Sequence, residues 1–286
     1  MRTALTIAGS DSSGGAGIQA DLKTFQAHGV YGMTAITAVT VQNTRKVYDI
    51  QEIAPAIVKG QILCLFDDID IHAVKIGMVS DVALIDAIAE ALAQVECPPV
   101  VLDPVMISKS GYALLKEDAQ QALIERLFPL AEVVTPNIFE AERLVGHTIA
   151  STAEMQTAAQ EILDLGARQV VIKGGHSQDA DATDILYDGQ TWRELTSPRY
   201  ATSNTHGTGC TFSSAIAANL ALGHSFFDAV ALAKTYISGA IRNALDIGRG
   251  HGPTHHFFDL YARAGVADSA SPSSPTGLKG ASRSDA

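Results

Sequence analysis

With 286 residues, 47% of them hydrophobic, the chain can build one large α/β domain or two small ones. Its net charge of −11 argues against a basic nucleic-acid face. An odd cysteine set without CxxC spacing (Cys64, Cys97, Cys210), an N-terminal apolar run too short for a signal peptide and no run of about 18 apolar residues predict a cytoplasmic protein off the membrane.

Thr3 to Ala8 reads as a short buried strand ending in Gly9. Ser10 to Gly17 is too glycine-rich for regular structure. Ile18, Leu22 and Phe25 then repeat at helical spacing up to Gly29. Met33 to Val41 reads as a second buried strand ending at Gln42. Strand, loop, helix, strand is a βαβ unit, which requires a parallel sheet. Pro55 to Phe66 is helical, Ala73 to Ile76 a strand ending in Gly77-Met78, and Ser80 is the expected cap of a helix from Asp81 to about Gln94. Val100 to Leu102 is a strand ending in Asp103-Pro104-Val105-Met106, and Asp118 to Phe128 is helical. Val133 to Thr135 is a short strand before Pro136-Asn137, with a helix from Ile138 to Leu144. Ser151 and Glu154 have capping-box spacing for a helix reaching Leu165. Gln169 to Ile172 is a strand ending in Lys173-Gly174-Gly175-His176, and Asp188-Gly189 marks a hairpin between Asp184–Tyr187 and Trp192–Leu195. Gly207-Thr208-Gly209-Cys210 opens an Ala/Ile/Leu-rich helix that stops at Gly223, and Ser225 caps another from Phe226 to about Ala244. From Val266 the chain has almost no large apolar residue. The expected organisation is one α/β domain over residues 1–265, a three-layer α/β/α sandwich with a mostly parallel central sheet, and a disordered tail over 266–286.

Gly9, Gln42, Met78, Asp103, Asn137 and Lys173 all follow strands. In an open parallel sheet those ends form the ligand crevice. A glycine turn opening into a buried helix aims free N–H groups at one spot, and the helix dipole adds positive potential. Gly207 to Cys210 therefore reads as an anion site, most often for phosphate, against the plainer alternative of a loop-to-helix junction. The Cys210 thiol at its mouth is expected to be acidified. The loop Gly9 to Gly17 lacks the acidic residue that a dinucleotide fingerprint places after the next strand, and no GxxxxGK[ST] occurs. Asp21 and Gln42 can together read the donor and acceptor edges of a flat heterocycle, although each alone also suits a surface cap. Asp103, with Asn137 and Glu140 at i and i+3, suits Mg²⁺ held partly through water. A helix N-cap and a first-turn acid are the plain readings of Asn137 and Glu140. Lys173 can meet a phosphate as a point charge or stand as an exposed strand end. His206, His255 and His256 lack metal-ligand spacing and read as loop histidines. Cys64 and Cys97 read as packing residues.

Assembled in order, these motifs resemble the ribokinase superfamily in its vitamin-kinase branch, closest to the bacterial hydroxymethylpyrimidine/phosphomethylpyrimidine kinases. The resemblance covers roughly Thr3 to Tyr261 and rests on Ala8-Gly9-Ser10-Asp11, Gly14 to Asp21, Thr40 to Thr44, Lys75-Ile76-Gly77-Met78, Asp103 to Met106, Pro136 to Ala141, Lys173 to His176 and Gly207 to Cys210. It implies an ATP-dependent kinase that phosphorylates one pyrimidine twice. By the same resemblance, Gly9, Ala16, Asp21, Gln42, Met78 and Val105 line the pyrimidine pocket, with Gln42 and Asp21 on the ring edge. Asp103, Asn137 and Lys173 face the ATP phosphates, and Glu140 with Asp103 holds Mg²⁺. Gly207, Thr208, Gly209 and Cys210 form the anion hole, with Cys210 as base. Much of the superfamily has Asp at the Cys210 position, and the family more often has glycine at Ser13. Pyridoxal kinase of the same branch is the alternative, and a non-catalytic vitamin-binding protein the remote one. The expected partners are the pyrimidine, ATP and a second copy of the chain as a homodimer, with no nucleic acid and no membrane.

Overall fold

The computed structural model describes residues 1–107, 111–116, 118–176 and 181–266. Strand β1 (Thr3–Ala8) leads through the glycine loop into α1 (Gly17–Ala27), and β2 (Tyr31–Ile36) returns parallel to β1 with Leu5 opposite Met33. A ribbon follows, β3 (Ala38–Gln42) antiparallel to β4 (Val47–Glu52). Next come α2 (Pro55–Asp68), β5 (Ala73–Ile76), α3 (Val82–Leu92), β6 (Val100–Leu102) and α4 (Ala119–Ala122). They are followed by β7 (Val133–Val134), α5 (Ile138–Val145), α6 (Thr152–Asp164) and β8 (Gln169–Ile172). The expected hairpin is β9 (Asp181–Tyr187) with β10 (Trp192–Pro198), and α7 (Thr208–Ala221), α8 (Phe226–Arg242) and α9 (Phe258–Ala264) complete the described chain.

The main sheet runs β10-β9-β8-β7-β6-β5-β1-β2, parallel from β8 to β2 and antiparallel at β9 and β10. Parallel strands need cover on both faces, and the core divides accordingly. Leu5, Ile7, Val74 and Ile76 pack with Ile62, Ile85 and Ile162 from α2, α3 and α6. Ala4, Val101, Val133 and Val171 pack with Phe25, Phe212 and Val230 from α1, α7 and α8. Neighbours Ala4 and Leu5 thus feed opposite layers, as the strand period of two demands. The architecture is the three-layer α/β/α sandwich with a mostly parallel sheet.

Several elements differ from expectation. The second strand is two: Thr37 breaks it, its hydroxyl donating to the Met78 carbonyl at 2.8 Å and its carbonyl accepting from Ile53 N–H at 2.9 Å. Past that joint the chain leaves the main sheet as β3, where Val39 and Val41 are exposed while Ala38 and Thr40 are buried. Helix α3 is capped by Asp81, which accepts from Leu84 N–H at 2.9 Å, whereas Ser80 donates to Glu52 at 2.7 Å. The expected helix over 118–128 is the short α4, a π-helical turn Leu123–Leu127 and a 3₁₀ turn Phe128–Leu130 that holds Pro129. The expected tail lies outside the described residues except for Val266.

Candidate active site

The carboxyl ends of β6, β7 and β8 bring three charged groups together. Lys173 Nζ donates to Asp103 Oδ1 at 2.8 Å and lies 4.0 Å from Glu140 Oε2. Thr135 and Ser213 also donate to Asp103, at 3.2 and 3.3 Å. Burial favours a neutral Asp103, but Lys173 and nearby Lys75 outweigh it and hold the carboxyl below its ordinary range. Glu140 closes a capping box at the start of α5, accepting from Asn137 N–H at 2.8 Å while Asn137 Oδ1 accepts from Glu140 N–H at 3.0 Å. Burial pushes Glu140 up to about 7 against the pull of Lys173. Asn137 and Glu140 thus hold the helix start, and Glu140 also faces Lys173. Among the described residues no three His, Cys, Asp or Glu side chains gather as a metal cage, and Asp103 with Glu140 is the acidic pair beside Lys173.

The start of α7 lies beside this cluster. A Cβ on Gly209 would stand 3.5 Å from Asp103 Oδ2 and 3.6 Å from Lys173 Nζ, in ordinary contact, which places the helix's first turn directly against both charged groups. Gly207 turns the chain with φ 77°, and a Cβ there would lie 1.8 Å from the Gly15 carbonyl. The two glycine loops therefore clasp each other. Asp11 ties the clasp: it accepts from Ser13, Gly15 and Ala16 N–H and, at 2.7 Å, from His206 Nε2. Burial would raise the Asp11 carboxyl, yet the His206 and Ser13 hydrogen bonds hold it at about 2.

On the other side of the clasp, Met78 packs over Gly9, where a Cβ would come within 3.1 Å of its sulfur. Half-buried Gln42 stands on the ribbon with Nε2 3.5 Å from His206 Nε2, and Ala16 and Val105 are half-buried. Asp21, expected at a ring edge, is placed differently. It is wholly buried, accepts from Thr6 and Ser214 at 2.6 Å each and from Lys75 Nζ at 3.0 Å, and has no oxygen open to a ring edge. Cys210 is half-buried in the first turn of α7. The expected acidification is absent: burial pushes its thiol up to about 11, Lys75 pulls it down, and the carboxylates of Asp21 and Asp103 add to the rise.

Sequence reasoning missed Lys75, because a lysine inside an apolar strand gives no sign of its partner on α1. His206, His255 and His256 lie in loops, as expected, but what sequence reasoning missed is that all three are buried there. Cys64 and Cys97, expected to pack, are exposed.

Residues 11–255 match the family described as phosphomethylpyrimidine kinase. The chain is 53% identical over 257 residues to the hydroxymethylpyrimidine/phosphomethylpyrimidine kinase of Rhizobium meliloti, covering 89% of this chain and 96% of that one. Its fold matches phosphomethylpyrimidine kinase from Clostridium difficile with a TM-score of 0.76 at 48% identity, over 84% of this chain and 100% of that one. It matches an ADP complex of Bacillus subtilis pyridoxal kinase with a TM-score of 0.84 at 43% identity, over 90% and 98% of the two chains.

Proposed function

The chain belongs to the phosphomethylpyrimidine kinase family and is a phosphotransferase of that kind, and from this premise we propose how its residues use ATP to phosphorylate 4-amino-5-hydroxymethyl-2-methylpyrimidine and then its monophosphate, giving the diphosphate for thiamine biosynthesis. The observation that carries the reading is Lys173, held between Asp103 and Glu140, beside the glycine-opened start of α7. Phosphoryl transfer asks for positioning and charge stabilisation more than covalent chemistry. The N–H groups of Gly207 to Cys210 meet the negative charge on the transferring group. Lys173 and Asn137 face the ATP phosphates. Gly9, Ala16, Met78 and Val105 line the pyrimidine pocket, and Gln42 reads the ring edge, as an amide that can donate to one ring atom and accept from another.

Asp103 and Glu140 fit magnesium, which takes one or two protein carboxylates and fills its shell with water and phosphate oxygens. The two carboxylates stand on either side of Lys173 Nζ, 2.8 Å from Asp103 Oδ1 and 4.0 Å from Glu140 Oε2, which supports their sharing a cation that arrives with the nucleotide. Bound there, magnesium would neutralise charge on the β- and γ-phosphates. Cys210 takes the proton of the attacking hydroxyl, and because the resting group is a thiol, only its thiolate fraction is competent. Exposed Cys64 and Cys97 thiols support a reducing, cytoplasmic setting. Exposed Val39, Val41 and Tyr48 on the ribbon support a homodimer.

The test is product analysis with ATP and Mg²⁺ on either the pyrimidine or pyridoxal. The pyrimidine should give monophosphate and then diphosphate. A higher kcat/KM for pyridoxal would overturn the substrate assignment in favour of a pyridoxal kinase, and no product from either would leave a binding protein.

A further inference from the structure

A fully buried ion pair lies beneath the anion hole. Lys75 on β5 donates to both oxygens of Asp21 on α1 at 3.0 Å, and neither side chain has any solvent exposure. Room for the ammonium comes from Gly77, where a Cβ would stand 2.6 Å from Nζ. Burial would lower the Lys75 pKa, but Asp21 beside it, with Cys210 and Asp103 nearby, raises it, so the lysine stays charged. Such a pair is a weak source of stability, since apolar side chains of similar volume often serve as well or better. Its other bonds point to a different task. The Asp21 carboxylate also accepts from Thr6 on β1 and, at 2.6 Å, from Ser214 on α7. Ser214 lies one helical turn beyond Cys210, and the preceding Ser213 donates to Asp103. Two adjacent serines thus tie the opening turns of α7 to two buried carboxylates, one beneath the helix and one on the phosphate side. Anion-hole donors act only when held in place before the reaction, and small misplacements cost large factors in rate.

We propose that Asp21, its charge matched by Lys75, is a positioning residue: through Ser214 it sets where Cys210 and the N–H groups of Gly207 to Cys210 stand relative to the reacting hydroxyl. The inference rests on the kinase reading above. It removes Asp21 from the pyrimidine edge and gives it a role that acts through the helix.

Single charge-removing variants strand a buried charge and risk not folding, so the test uses Ser214→Ala, the paired Asp21→Asn/Lys75→Met, and the triple variant. Steady-state kinetics on the pyrimidine are combined with amide hydrogen exchange over residues 207–214. The expected result for Ser214→Ala and for the paired variant is a kcat about tenfold lower with both KM values within about threefold, the signature of lost transition-state alignment. The triple variant should be no worse than the paired one, because Ser214 acts through Asp21. The exchange of the α7 opening amides should quicken in all three. If the folded variants keep kcat within about twofold of the parent, or if the losses multiply in the triple, the proposal is overturned and the pair is packing alone. Should the parent itself phosphorylate neither substrate, the kinase reading fails separately. Faster exchange would then still support the strut, and unchanged exchange would overturn it.

Discussion

Cys210 stands where a helix start favours a thiolate, yet its thiol is pushed up to about 11. Burial is the largest cause, and the carboxylates of Asp21 and Asp103 add to it. None of these could be read from Gly207-Thr208-Gly209-Cys210 alone, because Asp21 and Asp103 reach the thiol from distant parts of the chain. Alkylation of Cys210 in the ligand-free enzyme, followed by peptide mass spectrometry to separate it from Cys64 and Cys97, should be slow near neutrality. Its rate should climb about tenfold per pH unit up to at least pH 10, because the thiolate is the nucleophile. A plateau already near pH 8 would show an ordinary or acidified thiol. Cys210→Ala should lower kcat by about 10² to 10⁴, the usual range for a lost general base. For Gln42→Leu the expected loss is about 1–3 kcal/mol in kcat/KM for the pyrimidine, because the ring edge is left unpaired. An equal loss in the KM for ATP would remove Gln42 from the substrate side.

At the scale of elements, the clasp between the two glycine loops makes a stringent demand on backbone. Gly207 and Gly223 both have positive φ, 77° and 93°, but only Gly207 faces a carbonyl at 1.8 Å from a built Cβ, whereas nothing lies within 4 Å at Gly223. Gly223→Ala should therefore lose only the left-handed penalty, about 1–2 kcal/mol in denaturant unfolding. Gly207→Ala must also part the loops, so it should lose more stability than Gly223→Ala and most of its activity. Equal unfolding midpoints for the two variants would show that the clasp yields. Much at this scale was legible in sequence. Glycine stops, the Asp188-Gly189 hairpin and the Asn137 N-cap with Glu140 in the first turn all act through near neighbours, and all appear in the structure. The ribbon was not legible. Val39 and Val41 read as core strand, and only the tertiary bonds at Thr37 turn them out to solvent.

Across the whole molecule, the parallel sheet was legible because its strands are buried on both faces and so read as continuous apolar runs. What closes the molecule was not, because it joins residues far apart in sequence. His206 and Asp11 are 195 positions apart and meet at 2.7 Å, fastening the first βα loop to the start of α7. Hydrogen bonds from His206 and Ser13 overcome burial and depress Asp11 from 3.8 to about 2. A carboxyl depressed on folding stabilises the native state above its unfolded pKa of 3.8, and the contribution fades as pH falls through about 2. At about 1.4 kcal/mol per pKa unit this amounts to roughly 2 kcal/mol at neutral pH. Asp11→Asn should therefore unfold at lower denaturant than the parent at pH 7. The gap should hold from pH 7 to about 5, narrow between about 4 and 2, and disappear below that, because the parent carboxyl is then neutral too. A gap that persists undiminished at the acid end would mean that the loops are held by shape alone, with the Asp11 charge contributing nothing.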